Sequence, residues 1–200
     1  MNRWLAIILI HGCWFVSSIQ AQTIQTEKLE LLIGQVQAYH KGQLVYNHPQ
    51  FLHIKEFPFQ IENTNSTPVD SMNFLLGVDS LQHELGIVGN GLTPINGMYW
   101  AWQSGYIFVK WEGFIESVKQ KEKEMRPFTY HLGGFQYPFR CDQNCTISLN
   151  KTAPLNSILL SFEPTEKLLQ FVLASDFEIM SPQPAAVQMM KLFSQCLIVQ

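Results

Sequence analysis

Outside its first 21 residues the chain has little of what most often announces a function. No second apolar run approaches the roughly 18 residues that a membrane span needs, so no segment beyond the leader is expected to cross a bilayer. There is no run of basic side chains. The densest stretch, residues 119–124, alternates Lys-Gln-Lys-Glu-Lys-Glu. That pattern gives no electrostatic footprint for nucleic acid and reads as a solvated loop or short helix. Gly-x-Ser-x-Gly, His-Glu-x-x-His and phosphate-cradling glycine loops are all missing. Asp79, Glu84 and Glu112 are carboxylates that no spacing pairs for acid–base work, so each reads as a turn or surface residue. The chain is therefore not expected to be an enzyme.

Cysteine is scarce as well. The first 21 residues read as a secretory leader: Arg3 gives a positive start, Trp4 to Val16 is mostly apolar, and Ala21 offers a small residue for cleavage. His11 and Cys13 interrupt the apolar core, and an uncleaved anchor is the competing reading. Cleavage leaves a single domain over 22–200, exported to the periplasm or the exterior, with 12 basic and 16 acidic residues once Arg3 is removed. Cys141, Cys145 and Cys196 remain. In an oxidising compartment Cys141-Asp-Gln-Asn-Cys145 can close a small disulfide loop, and a Cys-x3-Cys metal or thiol site is the alternative. Cys196 lies in an apolar stretch and reads as a buried, inert thiol.

What the chain does have is short apolar segments punctuated by turn residues. Lys28 to Ile33, Gln43 to Tyr46, Phe57 to Ile61 and Asn73 to Val78 are separated by Lys41-Gly42, Asn47-His48-Pro49 and the polar run 63–68. Tyr106 to Glu112 reads as a strand with Ile107, Val109 and Trp111 on one face, and Tyr106, Phe108, Lys110 and Glu112 on a partly solvated one. Phe128 to Leu132, Cys145 to Leu149, Ser157 to Phe162 and Gln170 to Leu173 continue the strand series. Strands without long intervening helices predict a mostly β fold, an antiparallel β-sandwich. At the end, Ala186, Met189, Met190 and Phe193 recur at helical spacing after Ser181-Pro182. The pattern predicts a short C-terminal helix with a serine cap, a proline at its first position, and its methionines in the core.

Two clusters stand out. Met98 to Tyr106 contains Trp100 and Trp102, and tryptophans two residues apart share one face of a strand. Tyr130-His131-Leu132-Gly133-Gly134 sets a histidine in an aromatic strand before two glycines that allow close backbone approach. Among the other histidines, His40 and His48 fall in expected turns, His53 in Phe51-Leu-His-Ile-Lys55, and His83 after the turn region 77–80. Each, taken singly, reads as structural before it reads as a ligand.

The order Gly77-Val-Asp-Ser80, Gly97-Met-Tyr-Trp-Ala-Trp-Gln-Ser-Gly-Tyr106, Lys110, Glu112-Gly113 and Tyr130-His-Leu-Gly-Gly134 resembles the MbnP-like family of exported copper-binding proteins. The resemblance runs from about Asn73 to Gly134 and continues weakly through Ile179-Met-Ser-Pro182. Asn90, Thr93-Pro94 and Ala101 depart from the family pattern. The resemblance implies copper as the bound ion, His131 as first candidate ligand and His83 as a second. It implies Trp100 or Trp102 as a precursor of kynurenine, and a diheme cytochrome of the peroxidase type as oxidising partner. A metal-free β-sandwich that binds a partner through its aromatic face is the reading from a different class.

Overall fold

The computed structural model describes residues 22–61, 66–86, 89, 91–101, 104–119 and 122–199. The leader, Asn90 and Trp102 lie outside the described residues. Twelve strands are assigned: β1 (Gln22–His40), β2 (Gln43–His48), β3 (Leu52–Ile54), β4 (Phe59–Gln60), β5 (Pro68–Leu76), β6 (Tyr99–Ala101), β7 (Gly105–Lys119), β8 (Glu122–Gly133), β9 (Gln143–Pro154), β10 (Leu159–Phe162), β11 (Glu178–Ile179) and β12 (Leu197–Val199). Three helices accompany them: α1 (Ser80–Glu84), α2 (Glu166–Ala174) and α3 (Pro184–Ser194). None of the described helices is long and apolar enough to cross a membrane.

The fold is mostly β, a sandwich with a C-terminal helix as expected. The larger sheet runs β11-β8-β7-β1-β5-β9, with β2 and β3 also on β1 and β6 on β7; the smaller runs β12-β10-β4. Pairing is antiparallel except for β11 on β8. β1 is the spine. Leu31 lies between Ile54 and Val109, and Ile33 between Leu52 and Leu76. So β7 flanks the first half of β1 and β5 the second half along the same edge. The change falls between Leu31 and Ile33, and a bulge between Gly34 and Gln37, where Gln35 takes a left-handed φ of 53°, follows within the β1–β5 pairing.

Alternation then sorts the side chains of the β1-β7-β8 ribbon. Leu29, Trp111 and Tyr130 form one cross-strand row on the core face. Trp111 is fully buried. Its ring lies 5.1 Å from Phe128, 5.6 Å from Phe162 on β10 and 6.0 Å from Phe193 on α3. Edge-on aromatic contacts of this kind add about 0.5–1.5 kcal/mol each beyond the area they bury. The indole N–H, which would be costly to bury alone, donates to Thr26 Oγ1 at 2.9 Å. Met189 and Met190 of α3 are fully buried in the same core, as the helical spacing predicted.

Several expectations need correction. Gln170 to Leu173 is not a strand but part of α2, which starts where the Thr165 side chain accepts from Leu168 N–H and buries Leu168 and Val172 one turn apart. A short apolar run reads alike in either period, and the threonine cap decides it. α3 begins at Pro184, with Gln183 rather than Ser181 at the cap position, and Pro182 packs near Gly134. Lys119 and residues 122–124 of the alternating-charge run, expected to be a solvated loop or short helix, are the ends of β7 and β8, paired from Lys119↔Glu122 inward, and residues 120 and 121 lie outside the described residues. Tyr106 and Phe108 are buried, because α1 and the segment after β8 cover what alternation alone left partly solvated. His40 and His48 are half-buried. Cys141 and Cys145 are separate buried thiols, not a disulfide. Burial pushes their pKa up to about 12 and about 11, which suppresses the thiolate that metal binding or exchange requires.

Candidate metal centre

The face of the ribbon opposite Trp111 is polar. Glu30, Lys110 and His131 form a cross-strand row on β1, β7 and β8, and Glu112 follows two residues along β7. His131 Nε2 and Glu112 Oε1 are 2.7 Å apart. The histidine side chain is 12% exposed and the carboxylate 33%, so the pair sits under cover with one side open. A carboxylate on one ring nitrogen fixes the imidazole's orientation and leaves Nδ1 for another partner. At the other end of the row, His53 Nε2 meets Glu30 Oε2, also at 2.7 Å.

Trp100 is brought to Gly133, two residues beyond His131, by a tight ribbon. Gly97 takes a left-handed φ of 72° and turns the chain into β6. β6 folds back on β7 through Tyr99↔Tyr106 and Ala101↔Gly105. Gly133 shares a strand face with His131, being two residues on. A Cβ there would come within 3.1 Å of Trp100 Cζ3 and would overlap the Tyr106 carbonyl. The indole therefore occupies the space that a side chain at 133 would fill, on the strand face that also carries His131. Trp100 Nε1 is buried with no hydrogen-bond partner.

His83 is held elsewhere, in an aromatic box. The Gln35 side chain at the β1 bulge donates to Asp79 at 3.0 Å, and Asp79 caps α1 by accepting from Gln82 N–H at 2.9 Å. Ser80 Oγ donates to the Phe135 carbonyl at 3.0 Å. These bonds set His83 of α1 against Phe135, with ring centroids 4.2 Å apart and planes nearly parallel, and against Tyr106 at 5.1 Å and Phe108 at 5.8 Å. A Cβ at residue 105 would lie 2.6 Å from His83 Nδ1, so only glycine leaves room for the ring. Burial lowers the His83 pKa to about 4, against the weaker opposing pull of Asp79 and Asp142. The imidazole is thus neutral at ordinary pH, and its Nε2 is buried with no partner. A neutral imidazole with a free nitrogen suits copper, zinc or iron.

Of the predicted site residues, Trp100 lies against Gly133, two residues along β8 from His131, and His83 sits in its own box with Tyr106, Phe108 and Phe135. Among the described residues no hydrogen bond or ring contact joins the two histidines. Nor does any group of three or more His, Cys, Asp or Glu side chains converge among them. Sequence reading missed Glu112 as His131's partner, and the Glu30–His53 pair. Only the strand register, Lys110↔His131, reveals the first. Asp79 is a turn residue as expected, and Glu84 is exposed at the end of α1.

The chain is thus a β-sandwich that presents one imidazole paired with a carboxylate and another, neutral and partly buried, among aromatic rings. The MbnP family model matches residues 12–184, and the chain belongs to the MbnP family. No curated protein and no solved structure matches it.

Proposed function

We propose that this chain is an exported copper-binding protein, serving copper acquisition or storage rather than catalysis. Its site is built on His131, with Glu112 as the residue that orients it. The observation that carries the reading is the 2.7 Å His131–Glu112 pair, with Trp100 over Gly133 two residues along the same strand. His83 is the second candidate ligand, supported by its neutral ring and free Nε2. Trp100 and Trp102 are the two candidate kynurenine precursors. Oxidation of either requires an external oxidant, for which the family resemblance names a diheme cytochrome. Kynurenine would place an aniline nitrogen where the indole N–H cannot ligate. The leader delivers the protein to the periplasm or the exterior, where such an oxidant can reach it.

A copper titration of the purified protein against a competing chelator tests this. Glu112→Gln is expected to weaken copper about 10–100-fold, the usual loss when the partner of a ligating histidine is removed, and His131→Ala to weaken it further. An unchanged affinity in His131→Ala would sink the ligand assignment. A wild type that binds no copper would favour the metal-free interaction module. Intact mass of protein from its native host, compared with the unmodified sequence mass, reports the tryptophan oxidation.

A further inference from the structure

A cavity of about 310 Å³ opens between the β2–β3 edge of the large sheet and β4 of the small one. It is lined by Tyr46, His48, Leu52, His53, Phe59 and Ile61. It shares no lining residue with the His131 or His83 surroundings. Four of the six residues are aromatic or aliphatic, and the volume lies at the small end of the range for ligand pockets. Apolar cavities on the order of 150 Å³ already take up benzene.

The polar atoms of the lining are unequal. His53 is satisfied: its side chain is 7% exposed and its Nε2 is bound to Glu30. Burial lowers the His53 pKa, outweighing the pull of Glu30, so the ring is neutral. Glu30 is raised by burial, but hydrogen bonds from His53 and Lys28 outweigh that and hold it below the usual carboxylate range. An anion entering the cavity would meet that carboxylate behind His53. His48 stacks on Tyr46, with centroids 6.4 Å apart and planes 12° from parallel, and its Nε2 is buried without a partner. Leaving such an atom unpaired is costly, and a ligand that meets it gains accordingly.

We propose that this cavity binds a small neutral aromatic alcohol, a phenol, whose ring lies against Tyr46 and Phe59 and whose hydroxyl hydrogen-bonds His48 Nε2. A hydroxyl is the fitting group because it both donates and accepts, and so meets either tautomer of the imidazole. The ring satisfies the apolar walls. The absence of ligand charge suits a lining that has no carboxylate of its own and only Glu30, already engaged, behind His53.

The test compares phenol with toluene, and wild type with His48→Phe, which keeps a ring on Tyr46 and removes Nε2. Binding is read from amide and imidazole chemical shifts. Wild type is expected to bind phenol at least about tenfold more tightly than toluene, one good hydrogen bond being worth about that factor. His48→Phe should lose that preference while still taking up toluene. Ile61→Trp, which fills the cavity, should abolish both. If His48→Phe does not fold, a shift of the wild-type His48 ring nitrogen on adding phenol, and none on adding toluene, decides the matter. Equal binding of the two ligands, no binding of phenol, or a His48→Phe protein that keeps the preference would each overturn the proposal. None of these readouts involves copper, so failure here leaves the His131 reading standing.

Discussion

The two faces of the β7–β8 ribbon are made by adjacent residues and do opposite things. Trp111 and Tyr130 look into a core closed by Phe162 and Phe193, whereas Lys110, Glu112 and His131 look the other way into a polar row. The first face holds the sandwich together. The second holds His131 against Glu112. Because side chains alternate with a strict period of two, one strand pair serves both without compromise. Stability and copper affinity should therefore respond to different, neighbouring substitutions.

The hardest way to break that separation is Trp111→Ala. It removes a fully buried indole and is expected to cost about 3–5 kcal/mol, seen as a large drop in denaturation midpoint. Folded molecules that remain should keep their copper affinity, and a parallel loss of affinity in the folded state would show that the faces are coupled. Gly133→Ala attacks the boundary between the faces. Its Cβ would meet Trp100 and the Tyr106 carbonyl, so overpacking of about 1–3 kcal/mol is expected, together with altered tryptophan fluorescence. Next comes His131→Ala, whose effect on stability should be only about 0.5–1.5 kcal/mol, the net worth of one hydrogen bond, although it should damage copper binding most.

The smallest effect at neutral pH belongs to His83, and it emerges only in acid. Its folded pKa of about 4 lies below the ordinary 6.5, so the unfolded chain binds a proton more readily than the folded one. The stability associated with the neutral ring is present above pH 6.5 and is lost as pH falls towards 4. His83→Phe should flatten the melting temperature across that window. A wild-type profile as flat as the variant's would mean that the box does not exclude the proton.

The core face was legible in the sequence because alternation is local: Ile107, Val109 and Trp111 declare themselves within five positions. The polar face was only half legible. Trp100 and His131 came from an ordered pattern of rare residues. Glu112 was visible as a residue but not as a partner, since the bond to His131 depends on a cross-strand register that no local rule supplies. α2 was misread because the four residues Gln170 to Leu173 fit either period, although Pro164-Thr165-Glu166 carries a helix-start signal. The burial of Tyr106 and Phe108 was illegible for another reason. It depends on His83 and Phe135, brought from two distant segments by the Asp79 cap and the Ser80 hydroxyl.

The spine strand carries a consequence in time rather than space. Thr26 finds Trp111 across 85 positions of sequence, and the first half of β1 is flanked by β7, a partner synthesised long after it. Closing so wide a loop costs entropy before any contact repays it, and folds governed by such pairings form slowly. The second half of β1 can pair at once with β2, but its first half has no β7 to pair with until more than half the chain exists, so the spine is completed late.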